Sequence, residues 1–368
     1  MDKTTRVLCA AVFIVFAFVY LYWYQADLLT VTQHTLSKGK THYNHIVGAV
    51  VIVAVLQILQ VGVSKLCDSK VRIKALTYLP SFLILTGLTS ATESPTDGMT
   101  FGFWAVGLPV LLLGCGLLLW GACASRLVLP SVSACREAWI NLLVLLLSML
   151  MTCCFSNSDK VYHARIHMEQ CLLDSDYDQA LYTAKSLNDT DENVSMLTVY
   201  ALSKKRLLGE RLFEYPLKGG AGALLPDSVH TNFSMYPESK FFGYLGGWYV
   251  QRMAARRYFD YQRRHRKLNK ATVDYMLCGY LLDKDLDAFV KALPHYYVIS
   301  DSLPKHYKEA LVLYAHKRAH PWLVYENNVM NADFQDYQKI EHEVSDSRER
   351  QNKLRDTYGN TYWYYFQY

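Results

Sequence analysis

The sequence predicts an all-α protein: an N-terminal five-helix transmembrane bundle followed by a soluble domain of helical hairpins. Three observations carry that prediction. Five long apolar runs lie between Val7 and Phe155, and none follows. Charge divides at the same place, with 10 Lys/Arg and 6 Asp/Glu in residues 1–155 against 28 and 27 in residues 156–368. Beyond Phe155, apolar residues recur at helical spacing and period-2 alternation is scarce.

The runs are Val7–Tyr24, Ile46–Val63, Ala75–Leu88, Phe101–Ala122 and Trp139–Phe155. A helix needs about 20 apolar residues to cross the hydrocarbon core, with ~17 the usual minimum. Four runs qualify, while the third is short and interrupted by Pro80. The first run follows Lys3 and Arg6, as a signal peptide would. It ends in Tyr20, Tyr22, Trp23 and Tyr24 rather than in small residues, so it reads as a retained anchor with an interfacial aromatic belt.

Lys and Arg are retained on the cytoplasmic side of short loops. With the N-terminus inside, the inner segments hold Lys3, Arg6, Lys65, Lys70, Arg72, Lys74, Arg126 and Arg136. The outer ones hold Lys38, Lys40, Lys160 and Arg165. Five spans then place residues 156–368 outside the cytoplasm. A re-entrant third segment would return them to the cytoplasm. The chain is expected to cross its membrane several times.

No Asp, Glu, Lys, Arg or His lies inside the runs. Pumps and coupled transporters usually need an ionisable group at membrane depth, so that class is disfavoured. Gln57 and Gln60 share one helix face and read as interhelical glue. Gly107, Gly114, Gly116 and Gly121 read as close-packing positions. Seven of the nine cysteines lie in or beside the membrane region without a CxxC spacing. Cys171 and Cys278 alone belong to the soluble half, where an oxidising compartment would allow them to pair.

The soluble half divides into helical hairpins over 156–216, a linker over 217–240 rich in Gly and Pro, and a second helical subdomain over 241–368 with an aromatic end. Leu303, Tyr307, Ala310, Leu311 and Tyr314 form one amphipathic stripe. Val273, Met276, Leu277, Tyr280 and Leu281 form another. Seven of the eleven residues in Tyr358–Tyr368 are aromatic. That density predicts docking into the helical domain or onto the bilayer interface, not a dangling tail.

Repetition adds to this. Tyr177-Asp-Gln-Ala180-Leu181 followed by Ala184 is echoed by Tyr307-Lys-Glu-Ala310-Leu311 followed by Tyr314, and more weakly by Asp285-Leu286-Asp287-Ala288. The pattern resembles the second helix of the tetratricopeptide repeat, a hairpin unit of about 34 residues. The resemblance covers 156–215 and 270–318 and lacks the full repeat signature. It implies a TPR-like domain of stacked hairpins. A second resemblance rests on Tyr22-Trp23-Tyr24, on Leu208-Gly209-Glu210-Arg211-Leu212-Phe213 and on Tyr358-Gly359-Asn360-Thr361-Tyr362-Trp363-Tyr364-Tyr365-Phe366. These residues resemble a family of uncharacterised multi-span membrane proteins from gut Bacteroidetes. That resemblance implies a bacterial inner-membrane setting and no particular activity.

Motifs for chemistry are thin. His163 and His167 stand i, i+4 with Glu169 and Cys171 nearby, but HExxH is missing, and surface or interface histidines are the simpler reading. Gly219-Gly220-Ala221-Gly222 is not followed by Lys-Ser/Thr and reads as a flexible turn. No G-x-S-x-G motif occurs. No catalytic residue, cofactor or metal site is predicted.

The densest charge feature is Arg252, Arg256, Arg257, Arg263, Arg264, Arg266 and Lys267, with Lys270 beyond and Tyr258, Phe259 and Tyr261 interleaved. It reads as a solvated helix face, as a contact with anionic lipid head groups, or as a nucleic-acid surface. The last is disfavoured by the expected topology. The sequence therefore predicts a membrane-anchored scaffold or interaction module with a protein partner, the bilayer itself and no nucleic acid. The alternative is a membrane enzyme acting on lipid or glycan at the boundary between bundle and tail.

Overall fold

The computed structural model describes residues 2–67, 73–94, 98–124, 134–227, 231–247 and 253–368. These fall into two compact units, Met1–His163 and Ala164–Tyr368. In the first, α1 (Asp2–Val19) runs into a π-helical turn, Tyr20–Tyr24, followed by α2 (Ala26–Ser37) and α3 (His45–Leu66). A 3₁₀ turn, Lys74–Tyr78, leads into α4 (Leu79–Leu88). The short antiparallel strands β1 (Thr92–Ser94) and β2 (Gly98–Thr100) come next, then α5 (Trp104–Ala124) and α6 (Ala134–Phe155).

Among the described residues, four helices of this unit are long and apolar enough to cross a membrane: Thr4–Tyr24, His45–Leu66, Trp104–Gly121 and Arg136–Phe155. The third apolar run forms the shorter helical stretch Lys74–Leu88, so the five expected spans reduce to four long helices and one short element. Pro80 causes no break, because it sits in the first turn of α4, where its missing N–H costs nothing.

The short element is the most enclosed in the unit. Phe82 meets Phe13 edge-on at 5.1 Å, and Ser81 Oγ donates to Leu56 O at 2.9 Å. Thr86 Oγ1 lies 3.1 Å from Thr152 Oγ1. Gln60 Nε2 donates to Thr77 Oγ1 at 2.9 Å, and Gln57 Nε2 donates to Gln60 Oε1 at 3.2 Å, so these amides do tie helices together. Of the four α5 glycines, a Cβ at Gly107 would lie 2.7 Å from the Phe103 side chain four positions back, and the other three do not act as expected. Among the described residues, a Cβ at Gly114, Gly116 or Gly121 would meet nothing within 4 Å. The close approach is made by Gly87 of α4, where a Cβ would lie 2.9 Å from the Leu108 side chain.

The second unit is built from α7 (Lys160–Leu173), whose first turn precedes it, α8 (Tyr177–Ser186), α9 (Glu192–Lys204), α10 (Leu208–Arg211), α11 (Glu238–Tyr244), α12 (Ala255–Arg264), α13 (Lys270–Leu282), α14 (Leu286–Ala292), α15 (Lys305–Lys317), α16 (Asn328–Glu343), α17 (Ser347–Tyr358) and α18 (Tyr362–Gln367). Short reversals join many of these helices into hairpins. At Ser175, Arg206, Gly246, Arg266 and Lys284 the chain enters the left-handed region, with φ between 56° and 92°. Each time, the next residue's N–H returns to a carbonyl five positions back, as in Asp176 N to Cys171 O at 2.8 Å and Asp285 N to Tyr280 O at 2.8 Å. These are Schellman reversals, which satisfy carbonyls that the helix end would leave bare. Asp176 and Asp285 then cap the following helices by accepting from Gln179 N and Ala288 N.

The aromatic residues form the interior of this unit. Tyr200, Tyr258, Tyr275, Tyr307, Tyr362, Phe241, Phe242 and Phe289 are among its largest fully buried side chains. Within segment 217–240, expected as a linker, the described residues Ala223, Leu224, Leu225, Met235 and Tyr236 are all buried. The aromatic end docks into the same unit. Trp363 Nε1 donates to Glu309 O at 2.9 Å, and Tyr365 OH donates to Leu282 O at 2.9 Å.

Candidate functional site

The basic stretch falls on α12 and the turn after it. Helical period sorts its residues cleanly: Ala255, Tyr258, Phe259 and Gln262 are buried, while Arg256, Arg257, Arg263 and Arg264 are exposed. Arg266 and Lys267 are exposed in the turn. The buried side is anchored by Tyr258 OH, which donates to Gly247 O at 2.8 Å and receives Gln262 Nε2 at 2.9 Å. Tyr258 and Phe259, which alternate with the arginines in sequence, therefore point inward and cannot stack on nucleic-acid bases.

The seven predicted contact residues are not equivalent. Arg256 Nη2 donates to Asp285 Oδ2 at 2.5 Å, with its guanidinium 5.5 Å from the centre of the Tyr280 ring. Arg263 pairs with Asp260 at 3.0 Å. Among the described residues, Arg257, Arg264, Arg266 and Lys267 have no carboxylate partner and form the residual positive face. Arg252 lies outside the described residues. The cleft beside this helix, lined by Ala221, Phe259, Met276, Gly279 and Tyr280, holds about 10 Å³. That is room for one water at most.

Sequence reasoning missed three buried polar nodes, because each joins residues far apart in the chain. At the first, the fully buried Glu169 carboxylate accepts from the backbone N–H groups of Ser234, Met235 and Tyr236 at 2.6–3.0 Å. Arg165, one turn earlier, approaches Glu169 at 3.5 Å and reaches Asn232 Oδ1 at 2.7 Å and Ser234 Oγ at 2.9 Å. At the second, His306 Nε2 accepts from Phe213 N at 3.3 Å while Nδ1 donates to Glu309 Oε2 at 2.8 Å. The same oxygen accepts Tyr362 N at 2.7 Å. At the third, Asp274 Oδ1 accepts from Tyr297 OH at 2.5 Å and Tyr307 OH at 3.2 Å. Desolvation raises the Asp274 carboxyl above its usual range, with the two phenol hydrogen bonds working in the opposite direction.

These nodes have catalytic residue types and structural geometry. Both ring nitrogens of His306 are occupied, and His306 and Glu309 are shut away from solvent. The Cys278 thiol lies 3.6 Å from Tyr307 OH, and burial pushes its pKa up, the reverse of what a nucleophile requires. Cys171 and Cys278 are both free and buried, with no bond between them. His163 Nε2 lies 3.2 Å from Asn157 O, and no group of three potential metal ligands occurs among the described residues.

One segment stands out by exposure. Trp322, Val324 and Val329 are 63%, 56% and 70% exposed, on the connection from α15 into α16. That connection is held in place: Tyr325 OH and Asn327 Nδ2 donate to Asp301 Oδ1 at 2.8 and 2.9 Å. Those hydrogen bonds, Asn327 first, hold the Asp301 carboxyl below its usual range.

Residues 249–368, from just before α12 to the aromatic end, match a family described as a family of unknown function (DUF6057). The match agrees with the expected resemblance to an uncharacterised family over the C-terminal region. It includes the basic stretch, the His306–Glu309 pair and the exposed Trp322. No curated protein and no solved structure matches the chain.

Proposed function

We propose that this is a multi-pass protein of a bacterial inner membrane. In this reading the N-terminus is cytoplasmic, and the TPR-like unit lies outside the cytoplasm, where it recognises a protein partner. The observation that carries the reading is the distribution of exposed apolar surface. Among the described residues, thirty-two exposed large hydrophobic residues precede residue 164 and six follow it. Water-soluble surfaces rarely carry contiguous apolar area on the first scale, whereas the second is ordinary.

Five spans are supported by the ends of the helices in the first unit. The start of the short element is level with the start of α6, because Ala75 N donates to Asn141 Oδ1 at 2.8 Å. Its far end reaches the other side, where Tyr20 OH meets Thr89 Oγ1 at 2.9 Å and Thr86 meets Thr152. Five 3₁₀ residues at ~2.0 Å and ten α residues at ~1.5 Å cover about 25 Å. The 3₁₀ turn thus extends an element that a plain count of residues makes too short.

The closed polar nodes of the second unit favour an interaction module over an enzyme. Trp322 is the residue best placed to anchor a partner, as an exposed indole on a pinned connection. In vivo crosslinking of the full chain in native membranes, followed by capture, should yield a reproducible protein partner. The Trp322→Ala variant should lose it. A partner unaffected by this substitution removes Trp322 as the anchor. Recovery of a bound lipid or glycan with no protein would favour the enzyme.

A further inference from the structure

A cavity of about 580 Å³ lies in the first unit, with α4 as its floor and α5 and α6 as its walls. It exists because α5 and α6 each pack against α4 and hardly touch one another. Gly87 seats Leu108 of α5, and Thr86 meets Thr152 of α6. At one end Trp104 and Phe155 face each other edge-on across the gap, 6.5 Å between ring centres. From there the cavity runs down to Leu79, Leu83 and Leu147. Phe155 stands eight positions after Leu147, about 12 Å along a helix. Among the described residues, no charged side chain lines the cavity. Its hydroxyls are already bonded: Thr86 and Ser148 reach the carbonyls of Phe82 and Val144 in their own helices at 2.8 and 2.9 Å.

Such a wall offers little to water or to a polar ligand, whose hydrogen bonds it would leave unmade. Leu111, Leu147 and Met151 form the mouth, and they continue the exposed apolar belt of α5 and α6 that includes Leu113, Leu117 and Leu143. Whatever bathes that belt therefore reaches the cavity as well. The depth of about 12 Å is close to the half of a ~30 Å hydrocarbon core that one leaflet provides. Trp104 stands at the end where an interfacial aromatic belongs. A helix about 10 Å across, laid along the same length, would need about 900 Å³, so neither a partner's span nor a second copy fits inside. We infer that the cavity holds one acyl chain of a glycerophospholipid, lying from Trp104 and Phe155 down to Leu79 and Leu83. The chain completes the bundle by joining α5 to α6 where the protein itself does not. This inference rests on the reading of the first unit as membrane-spanning, and the two fail in distinguishable ways.

The test uses the full chain in nanodiscs doped with a phosphatidylglycerol that carries a photoactivatable diazirine midway along one acyl chain. Illumination labels the residues touching that chain, and mass spectrometry of peptides locates them. Label should appear on the exposed Val106, Leu113 and Leu117, which face any surrounding lipid, and also on Leu79 and Leu83 at the cavity floor. Ser148→Phe, which fills the cavity from α6, should abolish the floor label and keep the label on the exposed residues. Met151→Trp, a second filling variant, should do the same. Leu143→Phe, on the exposed face of α6, should keep both. Label on the exposed residues without label on the floor overturns the cavity assignment and leaves the membrane reading standing. Label at neither set overturns both. A floor label that survives both filling variants, or that a diazirine-tagged polyprenyl phosphate gives in preference to the phospholipid, overturns the assignment of an acyl chain.

Discussion

Glu169 and Met235, 66 residues apart, are joined by a single backbone hydrogen bond of 2.6 Å from Met235 N to Glu169 Oε2. The N–H groups of Ser234 and Tyr236 converge on the same carboxylate, and Arg165 closes the other side. Replacing Glu169 by Ala leaves three backbone donors without their acceptor and takes away the carboxylate that Arg165 faces, and should cost about 3–5 kcal/mol. Urea denaturation of the purified protein measures this. A loss below about 1 kcal/mol would mean that water replaces the carboxylate without penalty.

Gly209 is the point where α10 touches the start of α15. A Cβ there would lie 2.8 Å from Pro304 Cβ and 3.0 Å from Tyr307 Cζ. The ring of Tyr307 is fully buried and Pro304 is fixed, so neither can move away. Gly209→Ala should therefore destabilise the second unit by about 1–3 kcal/mol through overpacking, despite the better helix propensity of alanine. An increase in melting temperature would contradict this packing.

Asp274 gives a pH signature. Its carboxyl is raised in the folded state, so the folded protein binds the proton more tightly than the unfolded chain does. This group then adds stability as pH falls from neutrality through its folded pKa, and the gain is complete below the ordinary value of 3.8. Asp274→Asn removes the titration and keeps an acceptor for Tyr297 and Tyr307. The stability difference between wild type and variant should shift in favour of the wild type as pH is lowered from 7 to 4. A difference that is flat over that range, measured by urea melts at each pH, would rule out the titration.

Trp363 is the keystone of the aromatic end. It is 3% exposed, with ring centres 5.1 Å from Phe334 and 6.0 Å from Tyr337. Trp363→Ala should cost about 3–5 kcal/mol, and deletion of 358–368 should cost at least as much. Thermal melting monitored by near-UV circular dichroism checks both. Unchanged transitions would show that the segment adds no stability.

The proposed topology makes a separate prediction. Alkaline phosphatase fused after residue 160 should be active, and fused near residue 70 it should be inactive. Activity at 70, or silence at 160, would refute five spans with the N-terminus inside.

Much of the first unit was legible because apolar runs are long and local. The length of the short element was not, since a 3₁₀ turn stretches it and hydropathy carries no trace of that rise. In the second unit, the starts of α8 and α14 are local features of the chain, because Asp176 and Asp285 cap those helices with their own side chains. Segment 217–240 looked like a linker because its glycines and prolines are visible, whereas the burial of Leu224 and Tyr236 depends on distant helices. Of the basic stretch, sequence could show the charge but not its assignment: Asp285 takes Arg256 from 29 positions away. Gly114, Gly116 and Gly121 misled for the opposite reason, as small residues permit a close approach without requiring one.

The Glu169 clasp also bears on the order in which the second unit assembles. Hairpins such as α7–α8 and α13–α14 join neighbours in the chain and can form on the microsecond scale of local structure. Bringing Glu169 to Ser234–Tyr236 closes a loop of about 66 residues, an entropic cost of about 4 kcal/mol before any bond is made. Preformed hairpins shorten the effective loop, so the clasp should close after them, on the native side of the folding barrier. Its main effect would then be on the rate of escape: removing the carboxylate should speed unfolding far more than it slows folding. A unit held this way gains persistence from its clasp and speed from its hairpins.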